Sequence, residues 1–448
     1  MKRTDLLTQP QFFLILLLGS FLLSIIFEAA DWLHYFMVSF SIYSVITLII
    51  PVLKKPKTDH IDESYRPFVS IIIPARNEAL VIANTIQSAL QMSYYKDGVP
   101  NFEIIAVNDA STDSTGSILD SMAKQAPNLI VLHRESGKSN GKSSALNAGL
   151  SLCKGEVIAV FDADTRIEPG FLNSSIPLFS SSSVGGVQGR VEIYNPHINT
   201  VTMLQKNEFT FFNHLVQQYK DIIGGLAGLG GNGQLVKYSV LHEVGGWNEQ
   251  SLTEDFDLTL RMLLKGYSVR YASNAIVWQE AVETWHHLLK QRTRWGQGLL
   301  QCFFDYFLKI MAGRFSLVKK LDILYTMARV IIPFGILEGH ALYLMVSLDL
   351  AYFNSSFPPE LFTILPFIMF GIMYWTLTKE SPYRGVETVF HVLSYWLYSF
   401  IWVIVIPFSF INHLKVTTFI HWDKTDHKGL NNASQSQSKI SISRFQHQ

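Results

Sequence analysis

The chain has 448 residues, of which 48% are hydrophobic and only 16% are charged. Soluble domains usually carry about 25% charged residues, so the composition excludes a protein that is surrounded entirely by water. Lysine plus arginine and aspartate plus glutamate each number 36, and this balance argues against a nucleic acid or another polyanion as a general partner.

Two apolar runs without a charged residue lie near the N-terminus, at residues 12–27 and 35–53. The second is long enough to cross a bilayer, and the first is slightly short. Lys2 and Arg3 precede the pair and lysines follow it. The positive-inside rule therefore predicts a transmembrane hairpin over residues 1–58 with both ends in the cytoplasm. The alternative for the first run is a cleaved signal peptide, which the second run close behind it disfavours.

From residue 65 to residue 298 the sequence changes to short β-branched runs that alternate with helix-like segments. The predicted strands are 68–73, 103–108, 128–133 and 157–161, and the predicted helices are 78–92, 113–124 and 143–152. This alternation predicts an α/β domain with a doubly wound, mostly parallel sheet, placed between membrane segments.

Asp162 and Asp164 directly follow the fourth predicted strand. In an extended segment, side chains at i and i+2 point to the same face. The carboxyl end of a strand in an open α/β sheet borders the ligand crevice. Two carboxylates there predict a divalent cation, Mg²⁺ or Mn²⁺, held against a phosphate-bearing substrate. The alternative is a surface turn, because Asp-x-Asp often occurs by chance.

Polar residues also follow the first two predicted strands, Glu78 after the first and Asp109 after the second. The carboxylate of Asp109 can accept a hydrogen bond from a base N–H or a ribose hydroxyl. Residues 137–143 resemble a P-loop, but only three residues separate their glycines instead of four, so nucleotide hydrolysis is not predicted. Lys142 can still offer a positive charge to a diphosphate at the start of a helix.

Two further motifs lie on predicted helices. Asp255 is interpreted either as a general base or, like Asp257, as a first-turn acid that complements the helix dipole. Gln291, Arg294 and Trp295 fall at i, i+3 and i+4 and therefore share one helix face. An amide, a guanidinium group and a flat ring suit a diphosphate and a sugar. The alternative is that the arginine and the tryptophan anchor the helix at lipid headgroups.

The C-terminal part of the chain is mostly apolar. Residues 299–318 predict an amphipathic helix at the bilayer surface, with an ordinary core helix as the alternative. Three apolar segments, about 321–348, 361–378 and 386–411, predict transmembrane segments within 319–414; Pro333 predicts a kink or break in the first. Five crossings would place the polar tail, 415–448, outside the cell unless one segment re-enters or splits, and basic residues in the tail favour the cytoplasm.

Taken in order, the motifs resemble those of the membrane-embedded family 2 glycosyltransferases, of the cellulose-synthase-like QxxRW type. The matching segments are IIIPARNE (71–78), VNDASTDST (107–115), FDAD (161–164), TED (253–255) and QRTRW (291–295). The resemblance implies a multi-pass protein of the inner or plasma membrane, with a cytoplasmic catalytic domain of the GT-A type.

The resemblance also implies an inverting enzyme that moves a hexose, with glucose favoured, from a UDP-sugar into a β linkage. It implies a role for each residue that matches a motif. Glu78 and Asp109 would contact the uridine, Asp162 the nucleotide and metal, and Asp164 the metal; Asp255 would be the catalytic base, and Gln291, Arg294 and Trp295 would hold the diphosphate and line the acceptor site.

Two acceptor classes follow from the resemblance. GKSSALN (141–147), GEVIAVFDAD (155–164), GNGQ (231–234), GGWNE (245–249) and WDKTDHKG (422–429) are similar to the branch that makes β-monoglucosyldiacylglycerol, and this favours diacylglycerol. Gly296-Gln297-Gly298 is closer to the processive synthases of poly-N-acetylglucosamine, hyaluronan or β-glucan, whose acceptor is the growing polysaccharide. An inactive scaffold of a polysaccharide assembly complex is the non-enzymatic alternative, and the complete set of acidic motif residues argues against it.

Overall fold

The computed structural model describes residues 9–26, 31–54, 62, 64–135, 141–350 and 360–415. Contacts divide the chain into two units. Among the described residues, the sheet unit extends to Asp221 and from Leu226 to Leu288. The helical unit contains those before Pro56, residues 222–225 and those from Leu289 to Lys415. The polar tail after Lys415 and most of the P-loop-like run lie outside the described residues.

The strands of the described residues include all four that the sequence predicts, as β1, β4, β5 and β6. The strands are β1 (Val69–Ala75), β2 (Tyr95–Lys96), β3 (Val99–Pro100), β4 (Phe102–Asp109), β5 (Leu129–Arg134), β6 (Val157–Val160), β7 (Arg166–Ile167), β8 (Val184–Ile193), β9 (Gln234–Lys237) and β10 (Ser268–Gln279).

The three helices predicted between these strands are also present, as α3, α4 and α5. The α-helices are α1 (Gln9–Ile26), α2 (Asp31–Leu53), α3 (Ile82–Leu90), α4 (Thr115–Ala123), α5 (Lys142–Leu150), α6 (Phe171–Ser175), α7 (Thr200–Glu208), α8 (Val216–Ile223), α9 (Tyr238–Glu243), α10 (Glu254–Leu264), α11 (Trp285–Ala312), α12 (Leu317–Ala328), α13 (Ile332–Ser347), α14 (Glu360–Glu380), α15 (Val386–Ser399) and α16 (Ile401–Lys415). A 3₁₀-helix spans Ile176–Ser180, and a π-helix spans Phe209–Leu215.

Eight strands form one sheet in the order β5-β4-β1-β6-β9-β8-β10-β7. The pairs β5–β4, β4–β1, β1–β6 and β8–β10 are parallel. β9 is antiparallel to both of its neighbours, so β8 runs in the same direction as β6. The predicted mostly parallel sheet is therefore confirmed. The carboxyl ends of β1, β4, β6, β8 and β10 all lie at one edge, where such sheets bind ligands.

Both faces of the sheet are apolar, which explains why the predicted strands read as continuous hydrophobic runs. On one face, Ile71 belongs to a buried cluster that includes Ile86 of α3 and Phe171 of α6. On the other face, Ile72 belongs to a cluster that includes Leu146 of α5 and Leu258 of α10. Each such side chain stabilises the fold by about 1.5–3 kcal/mol through burial, and the helices on both faces make the sheet doubly wound.

Gly149 allows α5 to lie unusually close to the sheet. A methyl group at this position would lie 2.8 Å from Ile72 Cγ2 and 3.0 Å from Val107 Cγ2. At the other end of α5, Lys142 lies beside the carboxyl edge of the sheet, because its Nζ is 2.6 Å from Asp162 Oδ1, just after β6.

The helical unit contains two helical stretches that are long and apolar enough to cross a membrane, Leu33–Leu53 and Val386–Leu414, among the described residues. α12 and α13 together form a third candidate that is bent by 56° at the break between them, which confirms the break expected near Pro333. These helices agree with association with a membrane. The number of crossings and their orientation remain predictions.

The helix predicted at 299–318 is present over residues 299–312, but its predicted bounds differ from those of the structure. Residues 299–312 are the C-terminal part of α11, which already begins at Trp285. The chain breaks only after Ala312, and the Ser316 hydroxyl then accepts a hydrogen bond from Lys319 N at 3.3 Å, which caps α12. A location of this segment at the bilayer surface remains a prediction.

Candidate functional site

The Asp162–Asp164 segment lies at the expected edge of the sheet but forms a turn. β6 ends at Val160, and Thr165 N donates to Asp162 O at 3.1 Å. The predicted extended segment, with both carboxylates on one face, is therefore wrong. A simple surface turn does not describe the segment either, because Asp164 is only 7% exposed.

A lysine lies between the carboxylates of the site. Lys142, the first residue of α5, donates to Asp162 Oδ1 at 2.6 Å and to Glu254 Oε1 at 3.2 Å. Burial lowers the pKa of Lys142, but the charges of Asp162, Glu254 and Asp255 outweigh it and raise the pKa above its ordinary value. The ammonium group therefore stays charged, and its single positive charge offsets only part of the charge of the three acidic side chains.

Asp164 points to a different set of partners. Its Oδ2 accepts a hydrogen bond from Glu280 N at 3.2 Å, at the end of β10. The Tyr194 hydroxyl donates to Glu280 Oε2 at 3.1 Å, and the Arg166 guanidinium lies 4.5 Å from the centre of the Tyr194 ring. Burial and the nearby carboxylates of Glu280 and Asp164 raise the pKa of Tyr194, which stays protonated and can keep donating.

The two acids that the sequence left open at the start of α10 have different surroundings. Asp257 is 2% exposed and accepts from Arg261 Nε at 2.7 Å, so it stabilises the helix. Asp255 instead lies beside a glycine turn, because a methyl group on Gly231 would be 3.0 Å from Asp255 Oδ2 and 3.3 Å from Lys142 Nζ. Gly231 has a φ of +76°, a backbone conformation that favours glycine.

Asp109, at the end of β4, forms an ion pair that the sequence analysis missed. Arg134 Nη1 donates to Asp109 Oδ1 at 2.5 Å, and the two side chains are 9% and 5% exposed. The register of the parallel pair β4–β5 places the two residues opposite each other. Arg134 also donates to Ser144 Oγ of α5 at 2.8 Å. The pair therefore links two strand ends to the helix that carries Lys142.

Replacing Arg134 by methionine is expected to lower the free energy of unfolding by about 3–5 kcal/mol, because Asp109 would lose its cation while staying buried. Denaturant unfolding followed by tryptophan fluorescence measures the loss. The double variant Asp109→Asn/Arg134→Met should recover part of it, because no charge of the pair then remains. An equal loss in the single and double variants would contradict the assignment.

Glu78 lies close to the loop that follows β4. It is 8% exposed, and its backbone N donates to Thr115 Oγ1 at 2.8 Å. The preceding residue, Asn77, accepts from Thr112 N at 2.7 Å and donates through its own N to Ser111 Oγ at 3.0 Å. The loops after β1 and β4 are thus bonded to each other, as expected for polar residues that converge on one edge.

Gln291, Arg294 and Trp295 lie on α11, which confirms the predicted helix, but they belong to the helical unit. The sequence analysis missed the fully buried Arg292 of the same motif. Its guanidinium donates to Gln291 Oε1, and its Cζ lies 4.1 Å from the centre of the Trp295 ring. The predicted contacts of Gln291, Arg294 and Trp295 with a diphosphate or an acceptor remain predictions.

The carboxylates fit a metal that binds together with a substrate. In the part of the chain that the structure describes, no group of three histidine, cysteine, aspartate or glutamate residues could hold a metal alone. Mg²⁺ is, however, usually held by one or two carboxylates together with substrate phosphates and water. Asp162 and Asp164 are the predicted source of these oxygens, and the Asp162 side chain is 35% exposed.

Known proteins resemble the chain over most of its length. A sequence model described as glycosyltransferase-like family 2 matches residues 66–298. The chain is 33% identical over 373 residues to a β-monoglucosyldiacylglycerol synthase of Synechocystis sp., covering 81% of this chain and 75% of the relative. It is 26% identical over 343 residues to a poly-β-1,6-N-acetyl-D-glucosamine synthase of Staphylococcus epidermidis, covering 75% and 80%.

A similar fold is known from a solved structure. The mannosyltransferase PcManGT from Pyrobaculum calidifontis, in complex with GDP-Man and Mn²⁺, superposes with a TM-score of 0.55 at 21% identity, covering 87% of this chain and 96% of the other. At this identity the similarity shows a shared fold.

Proposed function

Because the chain belongs to the family 2 glycosyltransferases and is a sugar-transferring enzyme, we propose that it moves a hexose from a UDP-sugar to diacylglycerol. Glucose is the favoured hexose, and the product is a β-linked glycolipid. The acceptor rests on the higher identity to the glycolipid synthase than to the polysaccharide synthase. The transfer itself rests on the cluster of Lys142, Asp162, Glu254 and Asp255 at the carboxyl edge of the sheet.

The donor would bind at this edge. Asp162 and Asp164 would hold Mg²⁺ or Mn²⁺, which when bound neutralises charge on the diphosphate. Glu78 and Asp109 would contact the uridine. Lys142, which keeps its positive charge beside three carboxylates, would pair with diphosphate oxygens.

The transfer would be a single displacement. An acceptor hydroxyl attacks the anomeric carbon from the side opposite UDP, and Asp255 takes the hydroxyl proton. The new carbon–oxygen bond forms as the bond to UDP breaks, and the electron pair leaves on the diphosphate oxygen. An α-linked donor therefore gives a β-glycoside. Gln291, Arg294 and Trp295 would hold the diphosphate and line the acceptor site.

A processive β-polysaccharide synthase is the second candidate, favoured by the Gly296-Gln297-Gly298 run. The packing of the helical unit offers a separate reason for Gly296. A methyl group there would lie 2.7 Å from Ser409 Oγ of α16, and this hydroxyl also donates to Thr293 O at 3.1 Å. Close packing of α11 against α16 thus favours a glycine at 296 whatever the acceptor is, which weakens this argument for a polymer.

Product analysis separates the two candidates. The purified protein is incubated in vesicles that contain diacylglycerol, with radiolabelled UDP-glucose or UDP-N-acetylglucosamine. A labelled product that is soluble in chloroform supports the glycolipid, and an ethanol-insoluble polymer supports the polysaccharide. No product from either donor, with a well-folded protein, would contradict both. The Asp255→Asn variant gives the background.

The proposal includes a multi-pass arrangement in the cell membrane with the sheet unit on the cytoplasmic side, based on the lysines and arginine that flank the first two apolar runs. Protease treatment of oriented membrane vesicles tests this arrangement. The sheet unit should be cleaved in inside-out vesicles and protected in right-side-out ones, and the opposite pattern would overturn the orientation.

A further inference from the structure

A second loop meets the Asp162–Asp164 turn, and a single buried side chain forms much of the contact. Asn232 is 2% exposed and lies between Gly231 and Gly233 in the loop before β9. Its Oδ1 accepts from Asp162 N at 3.3 Å and from Thr165 Oγ1 at 2.9 Å. One carboxamide oxygen therefore holds both ends of the aspartate turn.

The other end of the same amide reaches the strand that holds Asp164. Asn232 Nδ2 donates to Gln279 Oε1 at 3.1 Å. The next residue, Glu280, donates its backbone N–H to Asp164 Oδ2 at 3.2 Å. Asn232 is thus connected to Asp162 directly and to Asp164 through the end of β10.

The glycine turn that carries Asn232 is itself fixed. Gln188 of β8 accepts from Gly230 N at 2.7 Å and donates to Asn232 O at 2.8 Å. Gly233 N donates to Val160 O at 3.0 Å, at the last residue of β6. These bonds hold the turn to β6 and β8, so the Asn232 amide has little freedom to move. Rigid supports of this kind are what position metal-binding carboxylates.

The same turn also approaches the other half of the site. Gly231 O accepts from Lys142 Nζ at 3.3 Å, and a methyl group on Gly231 would lie 3.0 Å from Asp255 Oδ2. A shift of the turn would therefore change the positions of the aspartates relative to Lys142 and to the proposed base.

We propose that Asn232 is a positioning residue that sets Asp162 and Asp164 for binding a divalent cation together with a nucleoside diphosphate. This inference rests on the proposed function, because it assumes that these aspartates bind the metal and the donor. Loss of a residue that supports metal ligands typically reduces metal affinity about 10–100-fold. Binding of the uridine, which would use Asp109 and Glu78, should change little.

The test measures UDP binding by calorimetry on the full-length protein, with and without Mn²⁺. In Asn232→Ala, the enhancement of UDP affinity by Mn²⁺ should fall about 10-fold or more, while the affinity without metal stays within about threefold. Thr165→Val removes only one bond to Asn232 Oδ1 and should reduce the enhancement by a smaller factor. If Asn232 served only folding, its replacement would change the UDP affinity with Mn²⁺ and the UDP affinity without Mn²⁺ by the same factor.

Gln234, two residues further on, provides a matched control. It is fully buried, and neither polar atom of its amide has a hydrogen-bond partner among the described residues. Gln234→Leu should therefore leave the enhancement unchanged. Full enhancement in a folded Asn232→Ala variant would overturn this inference alone. Absence of enhancement in the wild-type protein would overturn the proposed metal-dependent donor site and this inference with it.

Discussion

Asp255→Asn is expected to reduce the rate of sugar transfer by about 10²–10⁴-fold, the usual contribution of a general base. Asparagine has nearly the same shape as aspartate but cannot take the proton of the acceptor hydroxyl. UDP-sugar binding should stay the same or become slightly tighter, because the variant removes a negative charge near Lys142, where the diphosphate is expected. Radiolabelled transfer assays and calorimetry measure the two quantities separately.

Asp257→Asn is the matched control for this variant. Asp257 lies in the same helical turn but accepts from Arg261, so its replacement should lower stability while the folded protein keeps its turnover. Equal losses of binding and turnover in Asp255→Asn would remove Asp255 as the base. A similar loss of turnover in folded Asp257→Asn would show that Asp255 is not the acid that distinguishes catalysis from helix stability.

The scaffold could be predicted because its signals are local. Apolar residues on both faces of β1, β4 and β6 produce continuous hydrophobic runs, and polar residues mark where these strands end. Because parallel sheets bind ligands at their carboxyl edge, Glu78, Asp109 and Asp162 could each be predicted to lie at that edge. The predicted order of strands and helices is confirmed, because it depends only on these local signals.

The geometry of the site could not be predicted because distant residues set it. The turn after β6 depends on Asn232, which is 70 residues away along the chain. The ion pair of Asp109 depends on the register between β4 and β5, and Lys142 meets Glu254 only in the folded sheet unit. The argument from i and i+2 spacing assumed an extended segment, and these tertiary contacts determine a turn instead.

The end of α11 illustrates the same difficulty in the helical unit. Glycine is a poor helix former, and Gly296 and Gly298 stand where the sequence analysis placed a boundary. The helix nevertheless continues to Ala312, and Gly296 lets it pack closely against α16, because a methyl group there would lie 2.7 Å from Ser409 Oγ. Packing has overridden local propensity at this position.

Asp164→Ala is expected to make UDP binding insensitive to Mg²⁺ or Mn²⁺, because loss of a metal ligand should cost at least the roughly 10–100-fold in metal affinity that loss of a supporting residue costs. The wild-type protein should bind UDP more tightly with metal than without it. Asp162 would then be the only carboxylate of the pair, and it is already bonded to Lys142. Asp164→Asn tests whether charge or turn geometry is responsible, because its amide oxygen can still accept from Glu280 N. Both variants should lose the enhancement in a metal titration followed by calorimetry.

Glu280→Gln controls for the acid nearest to Asp164. Its side chain accepts from Tyr194 and holds no metal in the proposed site, so the enhancement should persist. Full enhancement in Asp164→Ala would show that the metal assignment is wrong. If Glu280→Gln lost the enhancement and Asp164→Ala kept it, the cation site would have to be assigned to Glu280, directly after β10. In either case Asp164 would have a purely structural role in the turn.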